Sequence, residues 1–129
     1  EYLDYIIAIK VVDNIDDEGI AKLKEILEQQ EFYAGKGDSE KVRNFDTEFH
    51  AIMYANCGSK VMENILTPLH RKMLKYRKVS LENPERIKKA IEEHKGIYNA
   101  IASRDKKMVE ELMTIHIENA RKSILERKA

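Results

Sequence analysis

The sequence predicts an all-α domain, an antiparallel bundle of six helices around a central cavity. Only two prolines and five glycines interrupt 129 residues, and 36% of the residues are charged. With Lys, Glu, Ile, Leu and Met abundant, that composition favours helix over sheet. Apolar residues recur at three- and four-residue spacing, and the breaks between these stretches are short, which makes successive helices antiparallel neighbours. The length is that of one ordinary domain, residues 1–129, long enough to bury a core without staples.

The first helix is expected over roughly Tyr2 to Val12, with Leu3, Ile6, Ile7 and Ile9 on its apolar side. The acidic cluster Asp16, Asp17 and Glu18 suits the partial positive charge of a helix N-terminus. It opens a second helix carrying Ile20, Leu23, Ile26 and Leu27 to roughly Ala34, where Gly35 and Gly37 stop it. Asp38 or Ser39 caps the third, which runs through Val42, Phe45, Phe49, Ile52 and Met53 to Cys57 and ends at Gly58. Ser59 caps the fourth, whose apolar stripe is Val61, Ile65, Leu69, Met73 and Tyr76, with Pro68 inside it as an expected kink. Asn83 followed by Pro84 is a strong start signal for the fifth helix, with Ile87, Ala90, Ile91, His94, Ile97, Tyr98 and Ile101 on one side. Asp105 caps the sixth, which carries Met108, Val109, Leu112, Ile115, His116, Ala120 and Ile124.

Composition also excludes functions. Lys+Arg and Asp+Glu both number 23, so the formal net charge is zero and no positive field draws in nucleic acid. The single cysteine, Cys57, rules out an intrachain disulfide framework and a CxxC motif, and a reducing, cytoplasmic setting fits. No apolar stretch is long enough to span a bilayer, and the start EYLDY has no signal-peptide pattern. The chain begins inside an expected helix, so it reads as part of a larger protein.

Chemistry is concentrated at Asp46 and His50, one turn apart on the third helix. At about 100° per residue both fall within the arc of Val42, Phe49 and Met53. Cβ atoms four residues apart on a helix are about 5–6 Å from one another, close enough for a carboxylate oxygen and an imidazole nitrogen to meet at one ion. His94 takes an interior position in the series Ile87, Ile91, Tyr98, and His116 does the same one turn after Leu112. A lone core histidine is commonly a hydrogen-bonded structural residue, and an Asp/His pair can be a local ion pair. Four such residues on interior stripes of three helices instead read as a metal site built from facing side chains. Its members are Asp46, His50, His94 and His116. Neither HExxH nor a Glu-x-x-His pair is present, and three imidazoles with a carboxylate suit a divalent ion, zinc or nickel before manganese or iron.

The run NFDTEFHAIMYANCGSKVMENIL resembles the Asp-x-x-x-His helix and following turn of the FCD domain, the effector-binding C-terminal domain of FadR-type GntR-family bacterial transcription regulators. EEHKGIYNAIASRDKKMVEELMTIHIENARKSIL is similar to the family's next signature, a His helix, a short turn and a final helix with another His. VVDNIDDEGIAKLKEIL resembles the entry to the second helix of these domains. The resemblance implies metal ligands at the same Asp46, His50, His94 and His116, and six helices rather than seven place the chain near the VanR-type subgroup. It further implies a central cavity in which a small organic acid binds the metal, a homodimer, and DNA contact only through an N-terminal winged helix-turn-helix domain absent from this chain.

Two residues are expected to hold the acid. Arg77 flanks the apolar face of the fourth helix, where its guanidinium would bind a carboxylate bidentately, the competing reading being a surface pair with a Glu. Asn119, one turn after His116, donates either to the effector or to solvent. His70, on the same flank as Arg77, is read as exposed; Tyr54, Tyr76 and Tyr98 as core-edge residues; and the five methionines as packing. The alternative function is a metal-dependent hydrolase in which a three-His, one-Asp site activates water. It wants a general base, and no Glu occupies an obvious core position beside the ligands, Glu48 pointing away. A structural dimerisation module with satisfied histidines is the third reading.

Overall fold

The computed structural model describes the backbone of residues 2–72 and 83–128, with side chains described from residue 6 onward apart from 120, 123, 124 and 126–128. Met73, Tyr76 and Arg77, named above, therefore lie outside what is described, as do the side chains of Leu3, Ala120 and Ile124. Six helices and no strand occur among the described residues: α1 Tyr2–Asn14, α2 Asp17–Gly35, α3 Ser39–Ala55, α4 Lys60–Lys72, α5 Pro84–Ala102 and α6 Lys106–Lys128.

Side chains fix the starts of these helices. Asp16 accepts from the Gly19 amide at 2.8 Å, and Asp38, not Ser39, caps α3 by accepting from the Lys41 amide at 3.1 Å. Ser59 accepts from Met62, Asn83 from Glu85 with Pro84 as the first helical residue, and Asp105 from Met108. Each such cap is worth about 1 kcal/mol. At the α3–α4 corner Gly58 has φ +81°, and a Cβ there would come within 2.7 Å of the Asn14 side chain, so the corner closes tightly on the end of α1. Arg104, at φ 56° between α5 and α6, donates to the carbonyls of Val12 and Ile15 at 2.7 and 2.8 Å. Those bonds satisfy the end of α1 and hold a left-handed residue in place.

α2 packs on α3 and α5, α5 on α6, α6 on α1, and α4 on α3. The main core joins Ile7, Val11, Leu23, Phe49, Met53, Ile97, Ile101, Val109 and Met113. Three expected stripes are rotated. On α1 the buried side is Ile7, Ala8, Val11 and Val12, with Ile6 exposed. On α6 Val109 and Met113 are buried, whereas Met108 and Ile115 face outward. The largest correction is α4: Val61, Ile65 and Leu69 are 67%, 56% and 44% exposed, and the face turned to α3 is Met62, Leu66 and His70. The two rows lie side by side on the helix, and packing against α3 selects the less apolar one.

Candidate metal centre

Asp46 and His50 come from α3, His94 from α5 and His116 from α6, and all four are buried, Asp46 to 1% exposure. The structure gathers His50, His94 and His116 into one group and sets Asp46 against His50 and His94. Ligating atoms of His50, His94 and His116 lie within 4.8 Å of one another. Asp46 Oδ1 is 3.4 Å from His94 Nε2 and 3.8 Å from His50 Nδ1. Four nitrogens at about 2.0–2.1 Å from a tetrahedral ion sit roughly 3.3–3.4 Å apart, so the cluster is of ion-holding size.

The outer hydrogen bonds set the chemistry of each ring. His50 Nδ1 donates to the Asp46 carbonyl at 2.8 Å. His94 Nδ1 meets Gln30 Oε1 at 3.4 Å, and the orientation of that amide is fixed because its nitrogen donates to the Val42 carbonyl at 3.1 Å. His116 Nδ1 meets Glu93 Oε1 at 3.2 Å. A carbonyl and a carboxylate only accept, so His50 and His116 carry a proton on Nδ1, whereas His94 has an acceptor oxygen near each nitrogen, Gln30 Oε1 at Nδ1 and Asp46 Oδ1 at Nε2. His116 Nε2 is buried with no hydrogen-bond partner among the described residues. Rings oriented through Nδ1 by a surrounding layer of acceptors are what a metal site requires, and three imidazoles with a carboxylate fit a divalent ion. Phe49 stacks on His94 with centroids 4.7 Å apart and a 13° interplanar angle, fixing the ring's plane.

Glu93 is a carboxylate beside the site that the sequence reading did not find. It pairs with buried Arg86 at 2.8 Å, receives Asn119 Nδ2 at 2.6 Å, and touches His116. Burial alone would raise its pKa, but the hydrogen bonds from His116, Asn119 and Arg86 prevail, and the carboxyl is held down at about 2. Asn119 is thus placed one residue layer out from the ligands. Arg77 lies outside the described residues.

His70 is not exposed. Its exposure is 7%, and its ring stacks on His50 with centroids 4.5 Å apart at 22°. Tyr54, expected at the core edge, is buried and its hydroxyl meets His70 Nδ1 at 3.4 Å. Ligating atoms of Asp46, His50 and His70 also lie within 4.8 Å of one another. The signals for these residues are present in the sequence. Gln30 continues the Leu23–Leu27 row, His70 continues Met62–Leu66, and Glu93 falls between Ala90 and Ile97 on α5.

The family model for the FCD domain matches residues 1–119. No curated protein matches the chain at a significant level. Among solved structures, E. coli McbR/YncC is similar with a TM-score of 0.86 and 19% identity, covering 99% of this chain and 61% of that chain. Streptococcus agalactiae GntR is similar with a TM-score of 0.80 and 24% identity, covering 95% of this chain and 54% of that one. At these identities the likeness is one of fold, and the chain spans under two thirds of the length of either relative.

Proposed function

This chain belongs to the FCD domain family, and we propose that it is the effector-binding domain of a GntR/FadR-type transcription regulator, sensing a small organic acid through a bound divalent metal. Asp46, His50, His94 and His116 hold the ion, zinc or nickel. DNA binding resides in an N-terminal winged helix-turn-helix domain outside this chain, the full regulator is a cytoplasmic homodimer, and the domain catalyses nothing. One observation supports this reading above the others: three interior histidines on three helices each have Nδ1 met by an oxygen, and their ligating atoms lie within 4.8 Å of one another.

When bound, the ion supplies a Lewis-acidic position for a carboxylate oxygen. The chain's own residues do the rest. Arg77 supplies the bidentate counter-charge, and Asn119, with one amide hydrogen given to Glu93, keeps the other for the acid. Because the ligands come from α3, α5 and α6, an acid that favours one spacing of these helices shifts the population of bundle geometries, and the DNA-binding halves move with it.

The hydrolase alternative is disfavoured by the carboxylate nearest in kind to a general base. Glu93 touches His116, but three donors hold it as an anion with a pKa of about 2, far too weak a base for neutral pH. The test is calorimetric titration of acetate, succinate and citrate into the metal-loaded and the chelator-stripped chain. Binding of at least one acid to the loaded form alone is expected, with affinity reduced roughly tenfold in Arg77→Ala at unchanged metal content, the scale of one charge-assisted pair. Equal affinities with and without metal reject the reading, and an unaltered Arg77→Ala rejects that residue's role.

A further inference from the structure

The geometry points to Arg86 as a positioning residue for the proposed metal centre, acting through Glu93 to fix the ring of His116; this rests on the metal site of the preceding reading and gives a role to a residue that reading leaves unassigned. Arg86 Nη1 donates to Glu93 Oε1 at 2.8 Å, and the same oxygen meets His116 Nδ1 at 3.2 Å. Asn119 Nδ2 donates to the other oxygen, Oε2, at 2.6 Å. The carboxylate is thus gripped at both oxygens, once from within α5 and once from α6, so the acceptor offered to His116 stays in one place. Arg86 and Glu93 are seven residues apart on α5, two turns and the same face. Ala90 lies between them, with nothing beyond Cβ to block a guanidinium that runs along the helix.

As a contribution to the fold alone, Arg86 is badly placed. It stands in the first turn of α5, where the helix carries partial positive charge and disfavours a cation. Its side chain is only 9% exposed, and its Nε is buried with no hydrogen-bond partner among the described residues. A buried ion pair is weak grounds for stability, since desolvation offsets its attraction. What the position does secure is the Glu93 carboxylate and, beyond it, the ligand proposed from α6.

A role exercised through Glu93 disappears when Glu93 is changed, whereas a packing role does not. Zn²⁺ is titrated calorimetrically into apoprotein of the unmodified chain, Arg86→Gln, Arg86→Lys, Glu93→Gln and the two double variants. Arg86→Gln alone is expected to bind roughly 10-fold more weakly, at the lower end of the range for losing an outer partner of a ligand, and Arg86→Lys to recover part of that loss. In the Glu93→Gln background neither substitution at Arg86 should have a further effect, because residues that act through one another are non-additive. The same fall in both backgrounds, or none in the first, overturns the proposal. If Arg86→Gln does not fold, Arg86→Lys completes the same cycle.

A second readout needs no metal. Two-bond ¹H–¹⁵N correlation NMR of the apoprotein at about pH 8.5, above the ordinary histidine range, reports which ring nitrogen holds the proton. His116 is expected to hold it on Nδ1 in the unmodified chain and to share it between both nitrogens in Arg86→Gln. A proton on Nε2 in the unmodified chain, or an unmoved one in the folded variant, overturns the proposal. If the unmodified chain binds no zinc, the metal reading fails, and the position of this proton still decides whether Arg86 and Glu93 orient His116.

Discussion

A histidine offers a metal the nitrogen that its other contact leaves over. At His94 that contact is Gln30, and at His116 it is Glu93, so two residues that never touch the proposed ion decide whether it can bind. Asp46, His50, His94 and His116 were legible in the sequence because a charged or polar residue on an apolar stripe is conspicuous. Their supporting layer was less so: Gln30 and Glu93 take their meaning from partners on other helices, and helical periodicity says nothing about which helix lies opposite. Glu93 also gives the molecule a measurable pH signature. Its folded pKa of about 2 lies below the ordinary 4.5, so its contribution is fully present above about 4.5 and is lost as pH falls towards 2. Urea denaturation of the apoprotein should show Glu93→Gln destabilised near neutral pH, with the gap to the unmodified protein narrowing as pH drops below about 4.5. A gap that is constant with pH would mean that the Glu93 charge is not what the fold uses.

At the level of elements, helix number, order and starts were readable, since Asp16, Asp38, Ser59, Asn83 and Asp105 all cap as their residue types suggest. Which side of a helix is buried was less readable. On α4 two parallel rows compete, and hydrophobicity alone chooses Val61–Ile65–Leu69 over Met62–Leu66–His70. The structure buries the second, because the turn at Gly58 sets the direction from which α4 meets α3 and because His70 has partners there in His50 and Tyr54. Misreading that rotation also misplaced His70 on the surface. The two rows differ in expected cost. Leu66→Ala removes a buried side chain and should destabilise by about 2–5 kcal/mol. Ile65→Ala, at an exposed position, should stay within about 0.5 kcal/mol, both measured by chemical denaturation. Comparable losses at the two sites would return the apolar row to the core.

For the whole molecule, an ion held by the proposed ligands from α3, α5 and α6 would make metal binding and folding one linked equilibrium, because the unfolded chain cannot present those ligands together. An ion at a thousand times its dissociation constant adds about 4 kcal/mol to the folded state. The loaded protein should therefore melt at a higher temperature than the chelator-treated one. Removing one ligand should abolish most of that difference, read for each variant against its own apoprotein. His116→Ala is the sharpest form of the question, since His116 is the sole ligand proposed from α6 and its Nε2 has no hydrogen-bond partner among the described residues. The decisive measurement is elemental analysis of the unmodified chain and His116→Ala after loading with zinc or nickel and removal of excess metal. About one equivalent in the former and a sharp loss in the latter are expected, since a ligand-deficient site holds its ion far less tightly. Equal metal content in both, or none in the unmodified chain, would contradict a metal centre built from Asp46, His50, His94 and His116.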